Sequence, residues 1–443
     1  MAMSTPSATE RVLSRAFRPF AVVDPGEAVG AAVLTLTVFL LLTAYYLLKT
    51  AREPLILLHG GAEVKSYASA GQSIVLLFVV RAYGSIASRV GRMKLIAGIF
   101  LFFVSNLVVF AVLARADFSI GVAFYLWVGV FNVTAIAQFW SFAADAYNPE
   151  QGKRLFAVLG IGSSVGAVAG ARIAKALVPL GPAGLMISAA GILVVCVVLF
   201  AVIDKRLGTA TKSVSDVDEP LAPDHAFRLL MSDKYLLLIA ALALILNWVN
   251  SNGEYVLDRT LLASLGDVPA KDATAFIGAF KAEYFAWVNL FGVLLQLFAV
   301  SRILTVLGVR NALLFLPAVA FIGYGAMIFF PALGLIRAAK IAENSIDYSL
   351  QTTARQALFL VASRLEKFVG KTVVDTLFVR LGDVLSAAAV WVGVQFAWPT
   401  AAFATLNIVL VVVWVTLVVV IGREQRRRLD EPDALPAVEA VAS

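Results

Sequence analysis

Cysteine and histidine are almost absent from the chain. Its 443 residues include one cysteine, Cys196, and two histidines, His59 and His225, which lie far apart. A single cysteine excludes a disulfide within the chain, and the apolar run around Cys196 is typical of an inert small hydrophobe. Two separated histidines give no cluster with metal-ligand spacing. We therefore expect no disulfide framework, no metal site and no cofactor.

Charge is also scarce. Charged residues make up 15% of the chain and hydrophobic residues 60%, whereas soluble proteins average about 25% charged and roughly 45–50% apolar residues. A soluble domain of this length has no way to bury so much apolar surface. The apolar runs are long enough for membrane helices rather than barrel strands. The sequence predicts an all-α polytopic membrane protein in a lipid bilayer, with no nucleic-acid partner.

Motifs for covalent chemistry are missing as well. The sequence contains no recognisable nucleophile–base pair and no ATP-hydrolysis motif. The glycine-rich stretch LGIGSSVGAVAG lacks the Gly-Lys-Ser/Thr ending of a phosphate loop, and no strand precedes it. Gly162, Gly166 and Gly170 instead repeat every four residues in an apolar helix, which predicts close helix packing. We therefore expect no enzymatic activity, and transport would have to run on exchange or on an ion gradient.

Windows of about 20 apolar residues predict about twelve membrane spans. A polar linker divides them into six and six. The predicted spans are 28–48, 67–88, 94–114, 120–146, 154–178, 183–203, 235–257, 274–300, 310–330, 332–360, 367–393 and 400–421. They predict an N-terminal tail over 1–27, a six-helix bundle over 28–203, a linker over 204–234, a second six-helix bundle over 235–421 and a tail over 422–443.

Lys and Arg indicate the orientation of these spans. They cluster before span 1, in alternate loops, beside the linker and after span 12, and such loops stay on the cytoplasmic side. We expect both termini and the linker to be cytoplasmic, in a bacterial inner membrane. Because the first residues lack a cleavage site after a short apolar run, we expect a tail there rather than a signal peptide.

Two six-helix halves joined by a cytoplasmic linker predict the major facilitator architecture, in which the site lies between the halves. An offset of 212 residues pairs Asn132 with Asn344 and Gly170 with Gly382, a weak internal echo that duplicated halves would leave. The loop RAYGSIASRVGRMK resembles the signature between spans 2 and 3 of that superfamily, with Ser88 where an acidic residue is usual.

Polar side chains recur on one face of spans 1, 4, 7, 8, 10 and 11, at 100° per residue. Charges at membrane depth are costly, so they should face the bundle interior, a pathway or one another. Spans 1, 4, 7 and 10 line the central cavity in a transporter of two halves. The candidate substrate-binding residues are Lys49, Arg52, Asn247, Glu254, Lys281, Lys340, Asn344, Arg355 and Lys371. The candidate gating or ion-coupling residues are Asp145, Asp347, Asp375, Arg380 and Asp383.

The signs of these charges suggest what they do. The cations on the stripes could hold an anion, since arginine offers bidentate contacts to phosphate or carboxylate. The carboxylates that would neutralise them in an empty cavity are Asp145, Glu254, Asp347 and Asp375.

Alternatives stay open at three places. Lys49 and Arg52 could lie at the membrane surface, because span 1 is predicted to end near them. Lys371 and Asp375 could form a structural pair, and Arg380 with Asp383 a structural or gate pair.

One stretch carries a more specific resemblance. GKTVVDTLFVRLGD is similar to a pattern of the ATP/ADP translocase (nucleotide:nucleotide exchanger) family of plastids and intracellular bacteria. The matching positions are Gly370, Lys371, Asp375, Arg380 and Gly382. YYLLKTAREPLIL and QFWSFAADAYNPEQGKRLFAVLG resemble the first span and spans 4–5 of the same family.

The resemblance implies nucleotide exchange without hydrolysis, with substrate handled by Lys49, Arg52, Glu254 and Lys371. The chain departs from the family pattern where Asp383 replaces a basic residue and Arg355-Gln356 a Lys-Glu pair.

Three functions follow as hypotheses. The first is an exchanger of nucleotides or another phosphorylated anion, working by alternating access through a cationic central cavity. The second is a proton- or sodium-coupled transporter of a different solute, such as a lipid or amphiphile, with Glu254, Asp347 and Asp375 as coupling carboxylates. The third is a membrane sensor or assembly factor that kept the fold. The sequence does not fix the oligomeric state, and a monomer is compatible with it.

Overall fold

The computed structural model describes residues 8–17, 23–87, 90–207, 233–362 and 371–430. Within these ranges the regular structure is entirely helical. Ser88, most of the predicted linker, most of the C-terminal tail, and Gly370 of the span 11 motif lie outside the described residues.

The main helices follow the predicted spans in order. They are α1 (Ala8–Phe17), α2 (Pro25–Ala87), α3 (Arg92–Arg115), α4 (Gly121–Ala146), α5 (Pro149–Leu177), α6 (Gly181–Leu207), α7 (Lys234–Ala263), α8 (Ala270–Phe298), α9 (Val300–Ala312), α10 (Phe315–Phe329), α11 (Leu333–Ile346), α12 (Thr352–Leu358), α13 (Val379–Gln395) and α14 (Thr400–Asp430).

By length and composition, seven helical stretches of the described chain can cross a membrane, or eight if the bent pair α8–α9 is one span. Two of the seven run over 52 and 53 residues, Pro25–Leu76 and Arg154–Arg206, and one crossing needs about 20 residues. Span 9 corresponds to a shorter apolar helix, Phe315–Phe329. The chain is an all-α polytopic membrane protein.

Helix α2, which contains predicted span 1, continues well past the predicted end of that span. It has helical backbone from Pro25 until Gly61, where φ is 73° and ψ is 179°, a region that glycine enters without steric cost. At 1.5 Å per residue, the helix extends about 12 Å beyond Arg52. The helix therefore does not end near Lys49 and Arg52, where span 1 was predicted to end, and both residues lie within its continuous helical part.

Helix breaks also move the predicted boundaries of spans 8 to 11. α8 and α9 meet at a bend of 79°, and Gly308 interrupts α9 with φ of 74°. Span 10 contains a π-helical turn at Asp347–Gln351, and span 11 contains another at Val374–Phe378. A π turn holds one more residue per hydrogen-bonded turn than an α turn, which a uniform helical phase does not anticipate.

The chain packs into two compact units. Unit 1 takes its described residues from 1–60, 74–215 and 267–289, and unit 2 from 61–73, 216–266 and 290–443. Residues 61–73 belong to the first predicted bundle by sequence but pack in unit 2. Residues 267–289 belong to the second predicted bundle but pack in unit 1. Each unit therefore includes one segment from the other half of the sequence.

Close approach of α5 to α2 confirms the role predicted for the glycine repeat. A methyl group on Gly162 would lie 2.9 Å from the Thr35 carbonyl oxygen, and one on Gly166 would lie 2.6 Å from that of Phe39. A methyl on Gly170 would lie 2.7 Å from the Thr43 Cα atom. Residues 35, 39 and 43 recur every four positions, so two matched helical ridges are in backbone contact.

Gly166→Ala should therefore destabilise unit 1, whereas Gly160→Ala should not. A methyl group on Gly160 meets no atom within 4 Å, and alanine is the better helix former. Overpacking of a tight contact typically costs about 1–3 kcal/mol, so the Tm of Gly166→Ala in detergent should fall by several degrees. Equal Tm values for the two variants would contradict the packing interpretation.

Candidate functional site

Unit 1 contains a group of charged side chains that we call the Glu53 cluster: Lys49, Arg52 and Glu53 on α2, and Lys281 on α8. Arg52 Nε donates to Glu53 Oε1 at 3.0 Å. Lys281 Nζ lies 3.8 Å from Glu53 Oε2. The two carboxylate oxygens thus serve two different cations, one on its own helix and one on another.

Because these ion pairs are buried, separating their charges is costly. The side chains of Glu53 and Lys281 are 1% and 0% exposed, and that of Arg52 is 12% exposed. A charge removed from water is costly unless an opposite charge or hydrogen bonds compensate it. The cluster is therefore stable only while Glu53 and its cations stay together, or while another anion takes the place of Glu53.

Aromatic rings surround the same cations. Lys49 Nζ lies 4.1 Å from the centroid of the Phe285 ring and 5.5 Å from that of Tyr46. Arg52 Cζ lies 4.5 Å from the Tyr125 ring centroid. Ring faces attract cations without neutralising them. In their ionised forms, these four side chains carry three positive charges and one negative charge.

Unit 2 contains a second buried group, the Lys340 cluster, formed by Asn250, Tyr324, Lys340 and Glu343. Lys340 Nζ lies 3.0 Å from Glu343 Oε1 and donates to Asn250 Oδ1 at 2.8 Å. Tyr324 Oη donates to Glu343 Oε2 at 2.9 Å. Lys340 is completely buried. Here a lysine and a carboxylate neutralise each other, and the tyrosine and asparagine complete their hydrogen bonds.

A glycine on α7 makes room for the Lys340 cluster. A methyl group on Gly253 would lie 2.9 Å from Lys340 Nζ and would collide with the Tyr324 hydroxyl. Beside it, Asn344 Nδ2 donates to Glu254 Oε1 at 2.9 Å. Two predicted site residues, Glu254 and Asn344, therefore contact each other next to a third, Lys340.

Charged residues form contacts between spans 10 and 11. Arg355 Nη2 lies 3.5 Å from Asp375 Oδ1, and Lys371 Nζ donates to Gln356 Oε1 at 3.0 Å. Of the alternatives left open for Lys371 and Asp375, the structure does not show the mutual pair. It shows instead that Asp375 faces the predicted cation Arg355.

Asp383 is held by three groups. Arg380 Nη1 lies 3.5 Å from Asp383 Oδ2, so the predicted contact forms. Asn247 Nδ2 and Ser251 Oγ donate to Asp383 Oδ1 at 2.9 and 2.7 Å. Asn247 Nδ2 also donates to the Val379 carbonyl oxygen at 2.7 Å. Both amide hydrogens of Asn247 are thus engaged in joining α7 to span 11, although Asn247 was predicted to bind substrate.

The prediction of which carboxylates neutralise the cations is partly wrong. Asp145 lies 3.6 Å from Arg92 Nη1, outside the Glu53 cluster, and Arg92 also binds Asp204 at 2.9 Å. Among the described residues, Asp347 forms no ion pair within 4 Å. The carboxylates that face Arg52, Lys281 and Lys340 are Glu53 and Glu343.

Glu53 and Glu343 are the main residues that the sequence did not identify as site residues. Glu343 lies three residues after Lys340, and Glu53 lies four residues after Lys49. Side chains at both spacings meet on one face of a helix. These spacings were the signals available for the two carboxylates.

Unit 2 has a further buried ion pair near the break at Gly61. Lys65 Nζ donates to Asp258 Oδ2 at 2.7 Å, with side chains 10% and 2% exposed. Nearby, Tyr255 Oη donates to Glu63 Oε1 at 3.0 Å. Both contacts join residues that follow Gly61 to α7.

Lys65→Met should lower the Tm markedly, because it leaves the Asp258 carboxylate buried without this lysine. Removing one partner of a buried pair costs about 3–5 kcal/mol. Lys175→Met is the matched control: Lys175 pairs with Glu283 at 2.9 Å, but with side chains 43% and 33% exposed, and exposed pairs contribute at most about 1 kcal/mol. A Tm loss no larger for Lys65→Met than for Lys175→Met would contradict this ranking.

No protein-family model and no curated protein matches the chain. Solved structures do match. A mutant form of the nucleoside transporter NupG superposes with a TM-score of 0.67 at 12% identity, over 89% of this chain and 99% of that chain. A POT family transporter in complex with 5-aminolevulinic acid gives a TM-score of 0.63 at 13% identity, over 90% and 96%. A bacterial homologue of the iron transporter ferroportin, in an inward-facing state, gives 0.61 at 14% identity, over 87% and 98%.

These likenesses confirm the predicted fold class: the chain has an all-α polytopic, major facilitator-like fold. At such low identity they show the fold alone. The resemblance to the ATP/ADP translocase family is carried by the sequence motifs.

Proposed function

We propose that the protein is a membrane transporter that exchanges nucleotides, or another phosphorylated anion, by alternating access and without hydrolysis. The observation that carries this proposal is the Glu53 cluster, where Arg52 and Lys281 contact one buried carboxylate, and aromatic rings contact Arg52 and a third cation, Lys49. Phosphate groups match the cations, and a nucleobase matches the ring faces. The fold and the span 11 motif support the same reading.

The roles of individual residues belong to this proposal. Lys49, Arg52 and Lys281 bind the phosphates in unit 1. In unit 2, the polar groups that contact substrate are Asn247, Glu254, Lys340, Asn344, Arg355 and Lys371. The pairs of Arg380 with Asp383 and of Arg355 with Asp375 act as gate contacts that change during the cycle, and Asp145 does so with Arg92. Both termini are proposed to be cytoplasmic, in a bacterial inner membrane.

Proteoliposomes that contain the purified protein should take up labelled ATP only when they are loaded with ATP or ADP. Lys49→Gln should reduce this uptake at least tenfold, because a charge-assisted phosphate contact of about 1.5–3 kcal/mol is lost. Lys175→Gln removes one positive charge from the exposed pair with Glu283 and should leave uptake unchanged. No uptake, together with no thermal stabilisation by any nucleotide, would refute the nucleotide proposal.

A second candidate is a proton- or sodium-coupled transporter of another solute, such as a lipid or amphiphile. Asp347 favours it, because this residue forms no ion pair among the described residues and lies at the start of a π turn. π turns inside α-helices occur frequently at functional sites. A carboxylate without a fixed cation is available to bind a proton or Na⁺.

The two candidates differ in what drives transport. An exchanger should ignore collapse of the proton and sodium gradients and should require internal counter-substrate. An ion-coupled transporter should show the reverse, and Asp347→Asn should then abolish gradient-driven accumulation while counterflow persists. Gradient-insensitive uptake that is unchanged in Asp347→Asn would exclude the second candidate.

A further inference from the structure

We infer that Glu53 is a resident anion of the substrate site: in the empty protein it occupies the cations that the transported anion must take over. The inference rests on the proposed function in one respect, namely that the transported anion binds the Glu53 cluster. It assigns a coupling role to a residue outside the predicted stripes.

The geometry of Glu53 is that of a bound anion. Each of its oxygens faces a different cation, Arg52 at 3.0 Å and Lys281 at 3.8 Å. The first distance is a charge-assisted hydrogen bond, whereas the second exceeds hydrogen-bond length. The contact with Lys281 is thus the longer of these two ion pairs, and it is the one at which an entering anion would replace the carboxylate.

The surroundings provide a way in. Lys49 and Arg52 are partly exposed, while Glu53 and Lys281 are buried. Tyr125 and Phe285 contact Arg52 and Lys49 through ring faces, which hold the cations in place without neutralising them. An anion that reaches Arg52 and Lys49 first therefore competes with Glu53 for a preformed set of cations.

Displacement of Glu53 has a mechanical consequence. Arg52 and Glu53 belong to α2, but Lys281 belongs to α8, so the Glu53–Lys281 contact joins two helices that are distant in sequence. While no anion is bound, this buried pair opposes separation of α2 from α8, because separation would take the Glu53 carboxylate away from the buried ammonium group of Lys281. A bound anion removes that cost. Glu53 therefore makes anion binding a condition for movement, as obligate exchange requires.

Glu53→Gln separates this role from a purely structural one. The variant keeps the shape of the side chain but removes the competing charge. In thermal-shift titrations of the full-length protein with ATP and with inorganic pyrophosphate, the apparent Kd should decrease by roughly tenfold. Adenosine, which lacks phosphate, should show no such difference between the variant and the wild-type protein. Loss of a merely structural ion pair would not tighten anion binding.

Transport should change in a matching way. Wild-type proteoliposomes without internal nucleotide should take up no labelled ATP, whereas Glu53→Gln proteoliposomes should take it up, because the empty variant can reorient. Glu283→Gln is the matched control: it removes one carboxylate from α8, where Glu283 pairs with Lys175 at a partly exposed position. It should retain both the wild-type Kd and the requirement for internal nucleotide.

Two further variants protect the test against misfolding. Lys281→Gln should weaken pyrophosphate binding, the opposite sign to Glu53→Gln, and unfolding cannot produce opposite signs. Glu53→Asp keeps the charge but shortens the side chain, so it should bind pyrophosphate more tightly than wild type and less tightly than Glu53→Gln. If Glu53→Gln does not fold, the Glu53→Asp result decides.

The possible outcomes distinguish this inference from the proposed function. If wild-type protein exchanges nucleotides but the Glu53 variants bind pyrophosphate equally or more weakly, the inference is overturned and the proposed function stands. If nucleotides neither bind nor exchange but pyrophosphate binds more tightly to Glu53→Gln, the inference holds for another phosphorylated anion. If no anion stabilises either protein, both are overturned.

Discussion

Charge inside an apolar helical protein must be compensated within the protein, and this constraint organises the structure. Lys281 and Lys340 are fully buried, yet each lies within 4 Å of a carboxylate. Lys65 likewise bonds to Asp258. Because the desolvation of each ion costs several kcal/mol, these partners have to be positioned by the packing of the helices that carry them. Helix packing in this fold therefore places each of these buried cations next to a carboxylate.

Small residues make that positioning possible. On α5, the glycine repeat lets the backbone touch α2 at Thr35, Phe39 and Thr43, in the helix that carries the Glu53 cluster. On α7, Gly253 leaves space for the ammonium group of Lys340. Gly382 performs a similar task between span 11 and α7, where a methyl group would lie 2.7 Å from the Leu244 carbonyl oxygen. Rigid backbone contacts of this kind fix side-chain charges more closely than flexible packing would.

Hydrophobic periodicity and composition were sufficient to predict the fold class, and spacing was sufficient to predict the glycine packing. Both of these predictions depend on patterns that extend over many residues. The site depends on individual positions, and the π turns in spans 10 and 11 depart from the assumed 100° per residue. The π turn at Asp347–Gln351 lies between Lys340 and Arg355, and the two cations contact different carboxylates, Glu343 and Asp375.

Ion-pair partners were the other information that the sequence could not provide. Helical phase indicates which residues share a face, but it does not indicate which helix lies opposite. Glu53 was not named as a site residue, and its partner Lys281 lies 228 positions away in the sequence. The pairing of Asp145 with Arg92 was missed for the same reason. Contacts of this kind are decided by tertiary packing, which local pattern does not encode.

The exchange of segments between the units also bears on how the chain is made. Unit 1 includes residues 267–289, so it cannot be completed when its first six helices have left the ribosome. Until Lys281 has been synthesised, Glu53 lacks the cation that α8 brings to its second oxygen. The first half of the chain must therefore wait in the membrane as an unfinished unit while the linker and α7 are translated. The two halves are synthesised one after the other, but unit 1 is complete only after part of the second half has been made.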